Sequence, residues 1–298
     1  MVPHRFGGDW TEQKLNLLRK YLPAYNKVFE GNPKGQYFTR WYIDAFAGTG
    51  DRIASESEAE REKIRDGSAR IALSTNPPFQ KFLFIEKSPK YAEALKALSR
   101  EYYGIRDDVS IKCGDANTEL VRWCQSIDAK TNRAVVFIDP KGMQLEWKTL
   151  VVLAQTHAVD VWILIPFGVG ISRLLPKSNL PSNAWANRLT TFLGTDEWRE
   201  FYREDPQKNL FELLDIDPND ILNHERQLIR DISIEGIGNF VLKRLSTVFE
   251  SVSDTPYVLR NSRGNPLYLL CFAASNKKGT QVGMKIANDI LEKAHYGR

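Results

Sequence analysis

The sequence is poor in the residues that hold metals and disulfides. It has 3 cysteines and 4 histidines in 298 residues. Cys113, Cys124 and Cys271 are widely spaced, with no Cys-x-x-Cys, and His4, His157, His224 and His295 are scattered. That spacing argues against a disulfide framework and against a His/Cys metal site. It predicts reduced thiols in a cytoplasmic protein without a metal. No apolar run is long enough to span a bilayer, so no membrane partner is expected. The opening residues, MVPHRFGGDW, lack the apolar core of a signal peptide. Charge of one sign is not in large excess either. The net charge is +4, which is compatible with an anionic partner without arguing for one. There is no internal repeat and no low-complexity tail. The length permits one elaborated α/β domain or two modest ones.

What is present centres on Tyr42 to Gly50, YIDAFAGTG. An apolar run ends in Asp44 and is followed by a small-residue turn. Ile43, flanked by aromatic residues, reads as a short buried strand. Gly48 and Gly50 bracket Thr49, and glycines there let a ligand approach the main chain closely. In a doubly wound sheet this first strand-to-helix turn lies at the ligand crevice. The dinucleotide fingerprint is incomplete, because Ile53 stands where its third glycine would be.

The rest of the chain supplies the context. Asp9 to Tyr25 reads as a helix, with Asp9 as cap, Glu12 three residues on, and Leu15, Leu18 and Leu22 on one face. Trp10 and Lys14 sit one turn apart. They either face a cleft or are a core aromatic and a solvated lysine. Asp51 to Asp66 is a polar, charged stretch, read as a lid or a solvated insertion. A helix is expected to begin at Gly67-Ser68, with Ser68 as cap. Strands follow at Phe82 to Ile85, Val109 to Cys113, Ala134 to Ile138 and Val159 to Ile165. Helices are expected from Pro89 to Tyr103, Thr118 to Ser126 and Leu145 to Ala154, with Ser88 capping the first of them. Alternating strands and helices predict a parallel sheet covered on both faces. Residues 171–251 break the alternation and read as an inserted helical subdomain. Tyr257 to Arg260 and Leu267 to Ala274 read as an antiparallel hairpin, and Gly279 to Leu291 as a closing helix. The division is therefore 1–170 with 252–298 as one α/β domain, and 171–251 as the insertion.

Three acids fall at ligand-facing strand ends: Asp44, Glu86 and Asp115. A carboxylate after the second strand suits a ribose, since its two oxygens can accept from adjacent hydroxyls. An acid after the third can accept from an adenine amino group. An acid at the first can meet a cationic amino group, directly or through water. The set suits S-adenosylmethionine better than a dinucleotide, whose pyrophosphate needs a helix N-terminus. Such a reaction is a displacement at a sulfonium methyl and demands positioning, not a nucleophilic side chain.

DAFAGTG, Glu86, GDAN at Gly114 to Asn117 and FIDPKG at Phe137 to Gly142 resemble the ordered motifs of class I S-adenosylmethionine-dependent methyltransferases. The final hairpin is similar to their antiparallel sixth and seventh strands. More closely, the chain resembles the three-Cys-motif partner protein family, TcmP. The carrying stretches are DWTEQKLNLLRKYLPAY, DAFAGTG with its late helix start, FIDPKGMQLEW and IPFGVGISRLL. The resemblance implies a Rossmann-like methyltransferase sheet that binds S-adenosylmethionine through Asp44, Phe46, Gly48, Thr49, Gly50, Glu86, Asp115 and Ala116. It also implies a partner that bears the three-cysteine motif, which the three cysteines here are not. Where this group carries an aromatic after Asp-Pro, the chain has Lys141.

The expected chemistry lies at the end of the fourth strand, in Asp139, Pro140 and Lys141. Asp139 would orient or deprotonate a nucleophile, and Lys141 would hold an anionic substrate. Phe167 and Arg173, with Trp10 and Lys14, are expected on the substrate side. Asn76-Pro77-Pro78-Phe79 spells a motif that amino-group DNA methyltransferases place after their fourth strand, but here it precedes the second, and a structural role is expected. The first reading is a methyltransferase with nucleic acid as the first substrate class to try. A cofactor-binding partner subunit is the second, and a dehydrogenase the third.

Overall fold

The computed structural model describes residues 9–49, 51–52, 65–106, 108–205, 227–277 and 279–295. Its centre is a mostly parallel mixed sheet. The strands are β1 (Thr39–Asp44), β2 (Lys81–Glu86), β3 (Val109–Cys113), β4 (Asn132–Ile138), β5 (Val159–Ile165), β6 (Tyr257–Arg260) and β7 (Pro266–Ala274). They lie in the spatial order β3-β2-β1-β4-β5-β7, and the edge beyond β7 is made by β6 and Ser251–Val252. The first five strands run parallel, and β7 runs antiparallel to β5. This is a Rossmann-like sheet that reverses its winding between β1 and β4, and it does not close into a barrel. At such a switch point the two flanking connections part, which opens a crevice beyond the carboxyl ends.

Strand periodicity assigns alternate residues to opposite faces. Tyr42, Phe82, Phe84, Val135, Phe137, Trp162, Leu164 and Phe272 pack on one side. Covering them are α1 (Asp9–Glu30), α2 (Ser68–Ser74), α3 (Pro89–Arg100) and α8 (Thr280–His295). Ile43, Leu83, Ile85, Val136, Ile138, Ile163 and Cys271 face the other side, toward α4 (Ala116–Ser126) and α5 (Trp147–Gln155). The helix α1 runs one turn beyond its expected end at Tyr25. The rings explain the extension: Tyr25 packs on Phe79 at 5.9 Å, and Phe29 on Tyr25 at 4.9 Å, between centroids. The Asp9 side chain, the intended cap, lies outside the described residues, as do 53–64 of the charged stretch. Of that stretch, Asp51–Arg52 pairs antiparallel with Arg65–Asp66.

Residues 171–251 carry α6 (Asn183–Leu193) and α7 (Ile234–Ser246). They also carry an antiparallel ribbon that helical periodicity did not suggest, Tyr202–Glu204 with Leu228–Arg230. Residues 206–226 lie outside the described residues. Leu189, Phe192, Trp198, Ile237, Val241 and Leu245 join the same buried cluster as Ile43, Val136 and Ile163. The joint with α5 is tight. Gly194 ends α6 at φ +67°, and a Cβ there would stand 2.1 Å from the Trp147 ring. Arg244 lies over that ring and donates to the Gly194 carbonyl at 3.2 Å. Gly194→Ala combines left-handed strain with overlap in a filled site. It should destabilise the protein by more than about 2 kcal/mol in denaturant unfolding.

Candidate functional site

A cleft of about 1410 Å³ opens where the sheet reverses. Each strand end contributes to it because the parallel strands all point their carboxyl ends there. From β1 and its turn come Phe46, Gly48 and Thr49; from β2, Glu86; from β3, Asp115 and Ala116; from β4, Asp139, Pro140 and Lys141. Helix α1 adds Trp10 and Lys14 from above. Gly50 lies outside the described residues. Gly48 has φ +62°, with nothing within 4 Å of a notional Cβ. That left-handed turn exposes main chain to the cleft, as a closely approaching ligand requires.

Glu86 is bound on both oxygens. Oε2 accepts from the Gly48 N–H at 3.0 Å and Oε1 from the Ser88 N–H at 2.7 Å. It thus ties the glycine turn to the end of β2. Each oxygen keeps a further lone pair, so a pair of hydroxyls can still be received. Ser88 precedes α3 as expected but caps it without a side-chain bond. Asp115 caps α4, its Oδ1 accepting from the Thr118 N–H at 3.1 Å, and remains exposed.

Asp44 does not line the cleft. It is fully buried behind Phe46 and Ser68, which do. Its oxygens accept weakly from the Phe46 N–H and the Tyr42 hydroxyl, each at 3.4 Å, and from Ser68. Ser68 is the first residue of α2, and Gly67 is its cap. The expected cap therefore serves the acid instead. Burial is the largest influence on Asp44; with the nearby Asp139 charge it outweighs the hydrogen bonds and raises the carboxyl pKa to about 7. At the other end of the sheet, burial raises Asp160 to about 6, although the Tyr21 hydroxyl donates to it at 2.9 Å. Both folded-state values exceed the ordinary 3.8, so the folded chain keeps protons that the unfolded chain has released. Stability should fall as pH rises from about 4 to about 7, by at most about 1.4 kcal/mol per unit for each group, and then level off. Calorimetric melting across this range checks it. Asp44→Asn should flatten the upper part of the slope and Asp160→Asn the lower.

At the β4 end, the Lys14 ammonium donates to Asp139 Oδ2 in a close ion pair. Lys14 is 5% exposed. Its Nζ stands 5.0 Å from the centre of the Trp10 ring, which in turn stacks on Tyr268 at 4.7 Å. Of the two alternatives for this helix face, the residues are cleft-lining, and Lys14 is not solvated. Lys141 is exposed, with its ammonium 5.5 Å from the Tyr91 ring. Phe167 departs from its expected place. It is 2% exposed in the core beside Gly238, outside this cleft, because the chain turns inward after β5. Arg173 is exposed and also lies off the cleft, though close enough to Tyr268 to act on its ionisation. Asn76-Pro77-Pro78-Phe79 sits outside the cleft, ahead of β2. There Phe79 is buried, and the Pro77 carbonyl accepts from Asn26 at 2.8 Å.

Several residues of the site had been given no role. Tyr268 enters because β7 is antiparallel, so its first residues lie beside the carboxyl ends of the others. Asn117 is buried, and it accepts from the Glu146 N–H and the Thr149 hydroxyl and donates to the Gln144 carbonyl, all at 2.9 Å. It pins the segment after Lys141, whose Met143, Gln144 and Glu146 line the cleft. Ala184, Asn187, Arg188 and Thr191 of α6 form the far wall. Their spacing is helical and was legible, but the wall they face was not.

Neither a protein-family model nor a curated protein sequence matches this chain. Solved structures do. Protein LPL1258 from Legionella pneumophila str. Philadelphia 1, described by family-model DUF519, is 9% identical over 97% of this chain and 93% of that one, with a TM-score of 0.51. The likeness is one of fold. Spermidine synthase from Thermotoga maritima is 12% identical over 90% of this chain and 60% of its own, TM-score 0.38. M. jannaschii TYW2, solved with AdoMet, is 10% identical over 84% and 74%, TM-score 0.30. Those two scores are too low to carry more than the observation itself. Among the described residues no group of three or more His, Cys, Asp or Glu could hold a metal, and no helix is long and apolar enough to cross a membrane.

Proposed function

We propose that the chain binds S-adenosylmethionine in this cleft and transfers its methyl group. The carrying observation is that the acids follow the sheet order. Asp115, Glu86, the buried Asp44 and Asp139 stand at the ends of β3, β2, β1 and β4, neighbours in space at about 4.8 Å per strand. An extended nucleoside with a cationic arm fits that row: adenine at Asp115, ribose at Glu86 and the charged arm near Asp44. The open main chain at Gly48 suits the close approach of the same ligand. When bound, the cofactor supplies an electrophilic methyl carbon, which the acceptor's lone pair takes as the bonding pair returns to sulfur. Asp139 orients the acceptor and receives its proton. Trp10, Tyr268 and Pro140 exclude water around it.

The acceptor class this cleft favours is nucleic acid. Lys87, Lys90, Lys141 and Arg188 are exposed along its rim, and Trp185, 44% exposed, follows Ala184 on α6. The motif set quoted above supports membership of the three-Cys-motif partner group, with a partner of that kind. Lys141, in place of an aromatic, favours the second reading, a cofactor-binding subunit that serves another enzyme. Calorimetry with S-adenosylmethionine and NAD tests the cofactor. Micromolar-range binding of the first and none of the second is expected, and saturable binding of NAD alone would overturn the reading.

A further inference from the structure

Among the described residues that line the cleft, Lys14 is the buried cation. Lys87, Lys90, Lys141 and Arg188 are exposed, whereas Lys14, on the cleft side of α1, is 5% exposed. Burying an ammonium is costly unless it is paired. Here Asp139 is its hydrogen-bond partner among the described residues, and the ring of Trp10 gives it a second, weaker contact. An ammonium carries three donors, so Lys14 has capacity for another anion. Asp139, meanwhile, holds one oxygen against Lys14, which neutralises the carboxylate expected to serve the acceptor.

The row of acids places an unmet demand at this point. If adenine and ribose lie at β3 and β2, the amino-acid arm reaches the ends of β1 and β4. That arm has an ammonium and a carboxylate. Asp44, closed off behind Phe46 and Ser68, can act on the ammonium only at a distance or through water. The carboxylate needs a cation, and the buried cation there among the described residues is Lys14.

We infer that Lys14 exchanges Asp139 for the carboxylate of the cofactor, so that the site selects the carboxylated cofactor and its arrival frees Asp139 for the acceptor. This rests on the methyltransferase reading, and deepens it by assigning Lys14 to the cofactor instead of the substrate. The exchange replaces one charge-assisted contact by another, so no buried charge is left unpaired. It also makes Asp139 available only when a methyl donor is present. Lys14 is a positioning residue in this scheme, since it acts on the acceptor through Asp139.

The test is titration calorimetry on the full chain with S-adenosylmethionine and its decarboxylated form, which keeps the sulfonium and the amino group. The wild type should prefer the carboxylated form by about tenfold to a hundredfold, as expected for one charge-assisted contact. Lys14→Met should bring the two within threefold, mainly by weakening the carboxylated form. Asp139→Asn removes the competitor, so the preference should rise above that of the wild type. Because the two ligands carry the same cationic groups, the loss of the Asp139 charge changes the ratio only through the carboxylate. Circular dichroism melting establishes that each variant is folded, and Lys14→Arg, which keeps the charge, should retain a preference. Equal binding of the two ligands by the wild type, or an unchanged ratio in Lys14→Met, would overturn the inference while leaving the cofactor reading intact. A wild type that binds neither ligand would instead overturn the cofactor reading, and this inference with it.

Discussion

Asp139→Ala is expected to cut methyl transfer by about a hundredfold to ten-thousandfold, the usual contribution of a placed acid or base. The structure gives the reason for expecting so selective a loss. Asp139 stands at the switch point, at the end of β4, and reaches the cleft beside Pro140 and Lys141. The cofactor is held mainly at the ends of the other strands, so its binding should survive. The assay is tritium transfer from labelled cofactor to RNA, DNA and protein fractions of a cell extract, with both forms run together. A mutant as active as the wild type would remove Asp139 from the mechanism. A wild type that binds cofactor yet transfers nothing, with or without a partner protein, would favour the subunit reading.

Glu86→Ala should weaken cofactor binding by about a hundredfold or more. Two hydrogen bonds to a charged carboxylate contribute about 1.5 to 3 kcal/mol each, and both would be lost with the ribose hydroxyls unmatched. From sequence alone the expectation is that the free protein melts almost unchanged. The structure alters that expectation. Glu86 also accepts from the Gly48 and Ser88 N–H groups, so the variant releases two backbone donors and loosens the turn. A fall in melting temperature should accompany the lost affinity. Glu86→Gln separates the two effects, because one oxygen remains to hold a backbone donor. Calorimetry gives the affinity and a thermal melt the stability; unchanged affinity in Glu86→Ala would place the residue outside the pocket.

Much of this site was legible because strand periodicity is strong. β3 and β5 have the bounds read from the sequence, β1 and β2 end at the acids that marked them, and β4 ends one residue before Asp139. Once the alternation implied a parallel sheet, Glu86, Asp115 and Asp139 had to share one edge. Depth was harder to read. Asp44 is as acidic in sequence as Glu86, yet it lies wholly buried, because Phe46 of the turn after β1 and Ser68 at the start of α2 close over it. Phe167 follows a strand just as Asp139 does, but its apolar ring was free to enter the core. The ribbon Tyr202–Glu204 with Leu228–Arg230 was invisible because three-residue strands have too short a pattern to show a period. Asn117 closes the GDAN motif, but its role was not legible. A single amide looks the same whether it lies on a solvated turn or holds Gln144 and Glu146 in place.

The stacking of Trp10 on Tyr268 joins helix α1 to strand β7, far apart in the sequence. Contacts so distant in sequence form late, since the entropy of closing a long loop must be overcome first. A nascent chain emerging from a ribosome can lay down β1, β2 and β3 well before residue 268 exists, because domains take shape from the N-terminus during synthesis. The roof over Lys14 cannot be finished then. The protein should therefore acquire the roof of its cleft only after translation has passed β7. Until then α1 also lacks α8, which packs against it in the finished fold, and that open face is a surface that a chaperone would find.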